Sequence, residues 1–529
     1  MAPRSGPLKA ISEEANERLS DCRKQKDMWR LDLEEAYFFA APPRARELNS
    51  NTQPAATKPH DESELQTSLG FECAEDFGTL VCDTFMPQTQ RWAERAKGAL
   101  IDQDTWDNIK DDVKDGDGAI FDGIGASNFY PELAKGVNPD ASTGTLAIWI
   151  DMGRPGQPIW CQSVPLRELE INIGPTGDID DRFIVRHTTY GKLPALLPAD
   201  IMAKLPKVIA DKVRKDRRGK IVVRWGYWRV WEERGDEVWQ HVVMVGEDVV
   251  HEVRLVGEGS CPLVVGRFGA FAEWAFGWGP ILRALPDLRQ LDEQRALFID
   301  SLDGMIRPPM GYPDDQMSNL EGGVEAGMFY PVRPGTEGAI KPLYEQPKPD
   351  AALFEEANLE RRIKRLFYQD FPEQRGDTPP TATQWAEEVK RALRRIGTPG
   401  LVFWREFCGG VFLRFKYLLE KAGKVTPVQV NGAAVSLTPI NPAQREQDAL
   451  EVAAFGSFVA TAGAAFPEEF KVHVDGAETM KKLCDKLGAN KIVTWRSDDD
   501  IKSAIGQISQ LSGAQAPAAA PGMAPAAGM

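Results

Sequence analysis

The spacing of hydrophobic positions changes period along the chain, and each change marks a different kind of structure. Ala15, Leu19, Cys22, Trp29, Leu33, Ala36 and Tyr37 recur every three to four residues behind Ser12, Glu13 and Glu14, which predicts one capped helix closing at Pro42-Pro43. Arg44 to Glu64 is polar and reads as an exposed loop; helical spacing then returns from Leu65 to about Asn108. From Leu146 the period shortens to two. Strands are predicted at Leu146 to Asp151, Ile159 to Val164, Phe183 to His187, Ile221 to Trp231, Val238 to Val245 and Val249 to Leu255. Together they read as a β-rich meander interrupted by a helix-like insertion at Pro198 to Arg214. Val223, Trp225, Tyr227 and Trp231 share one face of its central strand, and Glu233 to Asp236 form the turn after it.

An aromatic stretch, Gly266 to Gly279, precedes a strong helix opened by Pro280, carried by Ile281, Leu285, Leu288, Leu291, Phe298, Leu302 and Met305, and stopped at Pro308-Pro309. Gly311 to Pro349 is rich in Gly, Pro and acid, with strand candidates at Met328 to Val332 and Ala339 to Leu343. A second helix follows at Ala351 to Tyr368. After a loop at Asp370 to Pro380, Thr381 and Gln384 cap a long helix bearing Trp385, Val389, Leu393 and Ile396, which Gly397-Thr398-Pro399-Gly400 should break or kink before it resumes from Leu401 to Gly423. Strand candidates at Val428 to Val430 and Val435 to Leu437 lead into a helical region, Pro442 to Leu511. Ser512 to Met529 is nearly all Ala, Pro, Gly and Met and lacks the means to build a core. The fold class is α+β.

At 529 residues, two to four compact units or one elongated subunit are expected. No run of apolar residues is long enough to span a bilayer, and no leader is legible behind Arg4 and Lys9. Seven scattered cysteines without a Cys-x-x-Cys pair suit reduced thiols, and five isolated histidines build no zinc site by spacing, so neither a metal nor a cofactor is expected. The net charge of -15 argues against a protein that grips DNA, because nonspecific affinity comes from clustered Lys and Arg. DNA as a passing cargo is not excluded by it.

Motif by motif, the bland reading is the simpler one. Gly123-x-Gly125 lacks the third glycine and preceding strand of a dinucleotide loop. Asp115-Gly116-Asp117-Gly118 has Ala119 where a calcium loop needs oxygen, and reads as a turn. The basic run Lys212, Arg214, Lys215, Arg217, Arg218 and Lys220 is diluted by Asp211 and Asp216 and reads more simply as a solvated turn than as a phosphate site. The Trp-rich strands suit a sheet core or a subunit interface better than a sugar-stacking platform. There is no phosphate-binding Gly-x-x-x-x-Gly-Lys-Ser/Thr loop, and no catalytic set of carboxylates with a partnered His or Lys is legible.

Three stretches carry a family resemblance. Gly277-Trp278-Gly279-Pro280-Ile281-Leu282-Arg283-Ala284-Leu285-Pro286-Asp287-Leu288, running on to Ile306-Arg307-Pro308-Pro309, resembles the Gly-x-Gly-Pro, Ala-Leu-Pro-Asp and Pro-Pro pattern of the head-to-tail connecting, or portal, proteins of short-tailed bacteriophages. Thr378-Pro379-Pro380-Thr381-Ala382-Thr383-Gln384 is similar to the Thr-Ala-Thr-Glu segment of that family, with Gln384 in place of the acid. The helix Leu401 to Gly423, followed by Pro439-Ile440-Asn441-Pro442-Ala443-Gln444-Arg445, is the third.

The resemblance implies a non-enzymatic, elongated subunit in a ring of about twelve, lodged in the virion after assembly in the host cytoplasm. Its wing is expected over residues 1–279, stem helices at 280–306 and 350–369, a clip at 307–349, a tunnel loop at 370–380, a kinked helix and wing return at 381–440, a crown at 441–511 and a disordered tail at 512–529. It implies double-stranded DNA in transit, with the major capsid protein, scaffolding protein, terminase large subunit and a tail adaptor or tail tube protein as partners. Asp314 and Asp315 become candidate docking residues of the clip, and Gln374, Arg375 and Asp377 candidate DNA-facing residues of the tunnel loop. Such a ring would carry on the order of 180 excess negative charges and repel a duplex more than hold it. The alternatives are a phage-encoded enzyme or a glycan-binding tail component.

Overall fold

A computed structural model describes residues 7–44, 48, 65–98, 101–154, 157–231, 237–308, 350–369 and 395–427, with shorter stretches at 310–313, 328–332, 341–342, 436–439 and 452–461 and a few scattered positions beyond. The chain divides into two compact units, Met1–Asn441 and Pro442–Met529. In the second, residues 452–461 are helical. Among the described residues no helix is long and apolar enough to cross a membrane.

The first unit opens with α1 (Pro7–Asp27) and α2 (Arg30–Ala40), two helices where the sequence predicts one. The chain turns at Met28-Trp29, which sets the Trp29 ring against Trp274 and Trp278, with centroids 3.8 and 4.9 Å away. Ser12 lies inside α1 and is not its cap. Of the loop expected to be exposed, Leu48 is instead buried in the core; most of Arg44 to Glu64 lies outside the described residues. The helical reading of Leu65 to Asn108 resolves into α3 (Leu69–Phe85), a strand β1 (Ala93–Ala96) and the start of α4 (Gln103–Ala126).

Asp115-Gly116-Asp117-Gly118 is helical, within α4, and not a turn. Its glycines make room for arginine: a Cβ on Gly116 would stand 2.6 Å from Arg95 Nη2. Arg95 donates from Nε to Asp117 Oδ1 at 2.5 Å with both side chains buried, and a side chain at Gly116 would push it away.

After α5 (Phe129–Thr143) come β2 (Thr145–Arg154), β3 (Gln157–Ser163), β4 (Leu169–Ile173) and β5 (Ile179–Thr189). A 3-10 turn and three short helices, α6 (Leu193–Leu196), α7 (Ala199–Ala203) and α8 (Lys207–Lys215), form the insertion. Strands β6 (Lys220–Arg229), β7 (Val238–Val245), β8 (Asp248–Val256) and β9 (Leu263–Arg267) complete the β-rich part. These make two sheets, not one meander: an antiparallel β4-β5-β6-β7-β8 and a separate β3-β2-β9.

The larger sheet is covered on both faces. Ala15, Leu19 and Cys22 of α1 pack on Phe183, Val185, Trp228, Val242 and Met244. Leu193, Leu197, Ile201 and Ile209 of the insertion pack on Val223, Val243 and Val245. Double coverage explains why β7 is buried at nearly every position instead of alternating. Trp231 falls beyond the end of β6 and is exposed, donating to Asp180 Oδ2 at 2.8 Å, so the strand ends before the last residue of the face predicted for it.

Helix α9 (Pro280–Ile306) is followed by short strands β10 (Met310–Pro313), β11 (Phe329–Val332) and β12 (Lys341–Pro342) in the order β11-β10-β12, then by α10 (Asp350–Leu366). Helix α11 (395–403) runs through Gly397 to Gly400 without interruption. The irregularity comes a turn later, in the π-helical stretch Trp404–Cys408 that leads into α12 (Gly409–Lys421). Strand β13 (Ser436–Pro439) pairs with β1.

Candidate functional site

The Gly-Trp-Gly-Pro motif sits where α9 is rooted in the body of the protein. Gly144 ends α5 with a φ of 100°, a left-handed conformation that suits glycine. Its carbonyl accepts from Phe268 N at 2.8 Å, Gly279 N donates to Thr143 O at 3.0 Å, and Gly277 N donates to Thr145 Oγ1 at 2.9 Å. Backbone lies directly on backbone: a Cβ on Gly277 would stand 1.9 Å from Gly144 O, and one on Gly279 2.0 Å from Ser142 O. Trp278 between them packs edge-on to Trp29. Pro280 then starts the helix, where a missing N–H costs nothing.

The near half of α9 is built into the core through Ile281, Ala284, Leu285, Leu288 and Leu291, and Leu359 and Ile363 of α10 meet it there with Phe367 just after the helix. Ion pairs fix the two helices to each other: Arg362 Nη2 to Asp287 Oδ1 at 2.8 Å, and Arg295 to Glu356 at 2.6 Å and Glu360 at 3.2 Å. Arg289 ties α9 to Glu35 of α2. Farther out the apolar side chains lose their cover. Leu297 is 63%, Ile299 50% and Ile306 75% exposed on α9, and Phe354 of α10 is 69% exposed.

Beyond α10 the chain turns at Tyr368, whose φ of 62° is strained for a non-glycine residue. Packing holds it there: the ring stacks on Phe77 and meets Phe268 edge-on, and Gln369 Nε2 donates to Cys73 O at 2.9 Å. The candidate DNA-facing residues Gln374, Arg375 and Asp377 follow this anchor but lie outside the described residues, as do Asp314 and Asp315 beyond β10 and the predicted helix start at Thr381 to Leu393. Glu233 to Asp236, Val428 to Val430 and Ser512 to Met529 also fall outside them.

Apart from the exposed Trp231, the tryptophans of the β-rich part divide between two environments. Trp228 and Trp239 are core residues. Trp149, Trp160 and Trp225 line a cavity of about 880 Å³ between the two sheets, α6–α7 and α12, together with Tyr227, Tyr417 and Arg414. The hairpin β7–β8 brings His241 and His251 together there, with ring centroids 5.5 Å apart, a pairing that helical spacing could not reveal. Burial, with His251 and Arg414 nearby, pushes His241 down to about 3 and keeps it neutral. Arg414 is committed to structure, donating to Ile150 O at 2.9 Å, Ser260 O at 2.6 Å and Asp151 Oδ1 at 3.0 Å.

Among the described residues several thiols are held in their protonated form. Burial pushes the Cys73, Cys82 and Cys161 thiols up to about 12, away from the thiolate a nucleophile needs. Among the described residues no group of three or more His, Cys, Asp or Glu is placed to hold a metal ion.

The body thus bears two helices rooted in its core whose outer apolar side chains are uncovered. Comparison with known proteins gives the class: the family model described as bacteriophage head to tail connecting protein matches residues 12–493. The chain belongs to that family, which is structural and non-enzymatic. No curated protein matches it. Two solved structures are similar at low identity. One, titled as the neck of an empty GTA particle computed with C6 symmetry, is 12% identical with a TM-score of 0.36, over 79% of this chain and 90% of its own. The other, the virion of a native gene transfer agent particle, is 13% identical with a TM-score of 0.35, over 77% and 93% respectively.

Proposed function

We propose that this head-to-tail connecting protein acts as a portal: a closed ring at one capsid vertex through which double-stranded DNA enters and leaves the virion. The observation that carries the reading is the uncovered apolar surface of α9 and α10, with Leu297, Ile299, Ile306 and Phe354 exposed on helices whose roots are locked. Side chains of this size gain about 1.5–3 kcal/mol each on full burial, so neighbouring copies are their natural cover. Rotation that repeats one heterologous contact closes a ring.

In this reading α9 and α10 are the stem and the segment 307–349 is the clip, with Asp314 and Asp315 in the docking surface for terminase and then the tail adaptor. The segment 370–380 is the tunnel loop, presenting Gln374, Arg375 and Asp377 to the duplex. The ring is a dodecamer, set among the major capsid and scaffolding proteins. Native mass spectrometry and single-particle images of the purified chain test it: a hollow ring of about twelve copies is expected. A strictly monomeric species at high concentration across several salt conditions overturns it.

A further inference from the structure

We propose that the outer face of α8 and the turn behind it, formed by Lys212, Arg214, Lys215, Arg217, Arg218 and Lys220, is a docking surface for the phosphate backbone of double-stranded DNA, separate from any channel. The proposal rests on the portal reading only in that this places duplex DNA within reach.

Charge is the first observation. Residues 211–220 hold these six cations against two acids, Asp211 and Asp216, in a chain whose net charge is -15. All six are exposed. Several surface cations elsewhere are paired locally, as in Lys24–Asp21, Lys110–Asp107 and Lys135–Glu132. Among the described residues, no ion pair engages any of the six, and Lys212 makes only a contact over the Tyr190 ring at 5.6 Å. The helix dipole accounts for Lys212, Arg214 and Lys215 in the last turn of α8, but its reach ends there. It leaves Arg217, Arg218 and Lys220 unexplained.

The second observation is that the platform is built. Tyr190 N donates to Gly219 O at 3.0 Å and Gly191 N to Arg217 O at 3.0 Å, pinning the turn to the end of β5. Asp216, itself exposed, accepts from Gly219 N at 3.0 Å, so its carboxylate braces the turn, and among the described residues it makes no ion pair with the arginines. A Cβ on Gly219 would lie 2.3 Å from Asp216 Oδ2, which keeps that position small.

The ligand class follows from what the face lacks. Single strands are held by stacking on aromatic side chains, and the exposed residues of 207–220 include none. Protein interfaces bury a core of aromatic anchors and are depleted in Lys, whereas Val208 is the one large apolar side chain exposed on α8. Valine is also too small to insert into a lipid headgroup layer as Trp, Phe or Leu would. A duplex asks for nothing but cations. Along the roughly 13 Å of α8 it presents about eight phosphates.

Fluorescence anisotropy of a labelled 30-base-pair duplex with the full chain, titrated at roughly 50 to 200 mM salt, tests the assignment. The variant Arg214→Gln/Lys215→Gln/Arg217→Gln/Arg218→Gln should bind at least tenfold more weakly at low salt. Its slope of log K against log salt should be shallower by about three to four, at ~0.9 per phosphate contact. Arg375→Gln should leave this difference in place. Equal affinity and slope in parent and quadruple variant overturn the proposal, as does binding to phosphatidylglycerol vesicles or polyglutamate without a response to duplex. Mass photometry of both proteins separates the two readings. Rings that form without a duplex difference sink only this one, while a duplex difference in a protein that never forms rings sinks only the portal.

Discussion

Arg267 on β9 and Glu406 in the π-helical turn, 139 residues apart, face each other in a bidentate pair, with Nη2 to Oε1 at 2.5 Å and Nε to Oε2 at 3.1 Å. The same guanidinium donates to Trp274 O and Gly177 O, each at 2.8 Å. Four segments thus converge on one cation. Glu406→Gln leaves that buried cation without its counter-charge and should cost about 3–5 kcal/mol in chemical denaturation. Replacing both partners with apolar residues should cost less; an equal or larger loss would show that the pair does more than balance its own burial.

Backbone packing at the root of α9 leaves no space for a methyl group. Gly279→Ala should therefore lower stability by more than the ~1–3 kcal/mol of an ordinary overpacked core. Gly397→Ala, at a position with open space around it, is the control and should be nearly neutral. Comparable melting temperatures for the two variants would contradict the interlock.

Asp140 is wholly enclosed and accepts from the Tyr37 hydroxyl, and burial raises its carboxyl from the ordinary 3.8 to about 6. The native state then binds more protons than the unfolded chain between those values, so this group makes stability fall as pH rises from 3.8 through 6. Asp140→Asn keeps an acceptor for Tyr37 and removes the charge. Its unfolding free energy should exceed that of the parent at pH 7.5, by a margin on the order of 3 kcal/mol at most, and the gain should vanish near pH 4. A gain independent of pH would rule out the ionisation of Asp140 as its source.

Exposed apolar residues on α9 and α10 make assembly separable from folding. Leu297→Asp combined with Ile299→Asp should leave the unfolding free energy of the isolated subunit within about 0.5 kcal/mol of the parent, as for surface sites, while abolishing the ring. Rings of normal size from the double variant would place the interface elsewhere.

Arg375, read as part of the tunnel loop, should contribute one weak, sequence-independent phosphate contact per subunit. Arg375→Glu should preserve the ring and change genome retention or packaging yield. Full heads with unchanged retention would remove this loop from the channel.

The helices with strong punctuation were legible: Pro280 and Pro308-Pro309 bracket α9, and the period-two runs located β6, β7 and β8 to within a few residues. Partition of the strands into two sheets was not. Leu263–Arg267 is short, and its pairing with β2 is a long-range choice that no local pattern records. The helical glycines of α4 looked like turn residues because their reason, the Arg95 side chain, comes from another element. The His241–His251 pair needed the β7–β8 register, which sets His241 opposite Val253 and His251 opposite Val243. At the candidate site the Gly277 and Gly279 motif was visible, while its partner, the end of α5, was not. The basic run was visible too, but only the structure showed that its acid Asp216 is bonded to Gly219 N within the turn.

Lys26 is buried at the end of α1, its ammonium donating to the carbonyls of Leu166, Arg167 and Leu169 at 2.7, 3.1 and 2.9 Å and lying 3.4 Å from Glu170 Oε1. Every one of those acceptors is made at least 140 residues later, and the strands that α1 covers are not complete until β7 has emerged. At about 5–20 residues per second on the ribosome, α1 waits roughly ten seconds or more for its sheet. Throughout that interval its apolar stripe, Ala15, Leu19 and Cys22, has no native partner. The earliest helix of the body therefore docks only once strands made much later have emerged, and a nascent chain stalled before β7 offers that stripe to chaperones.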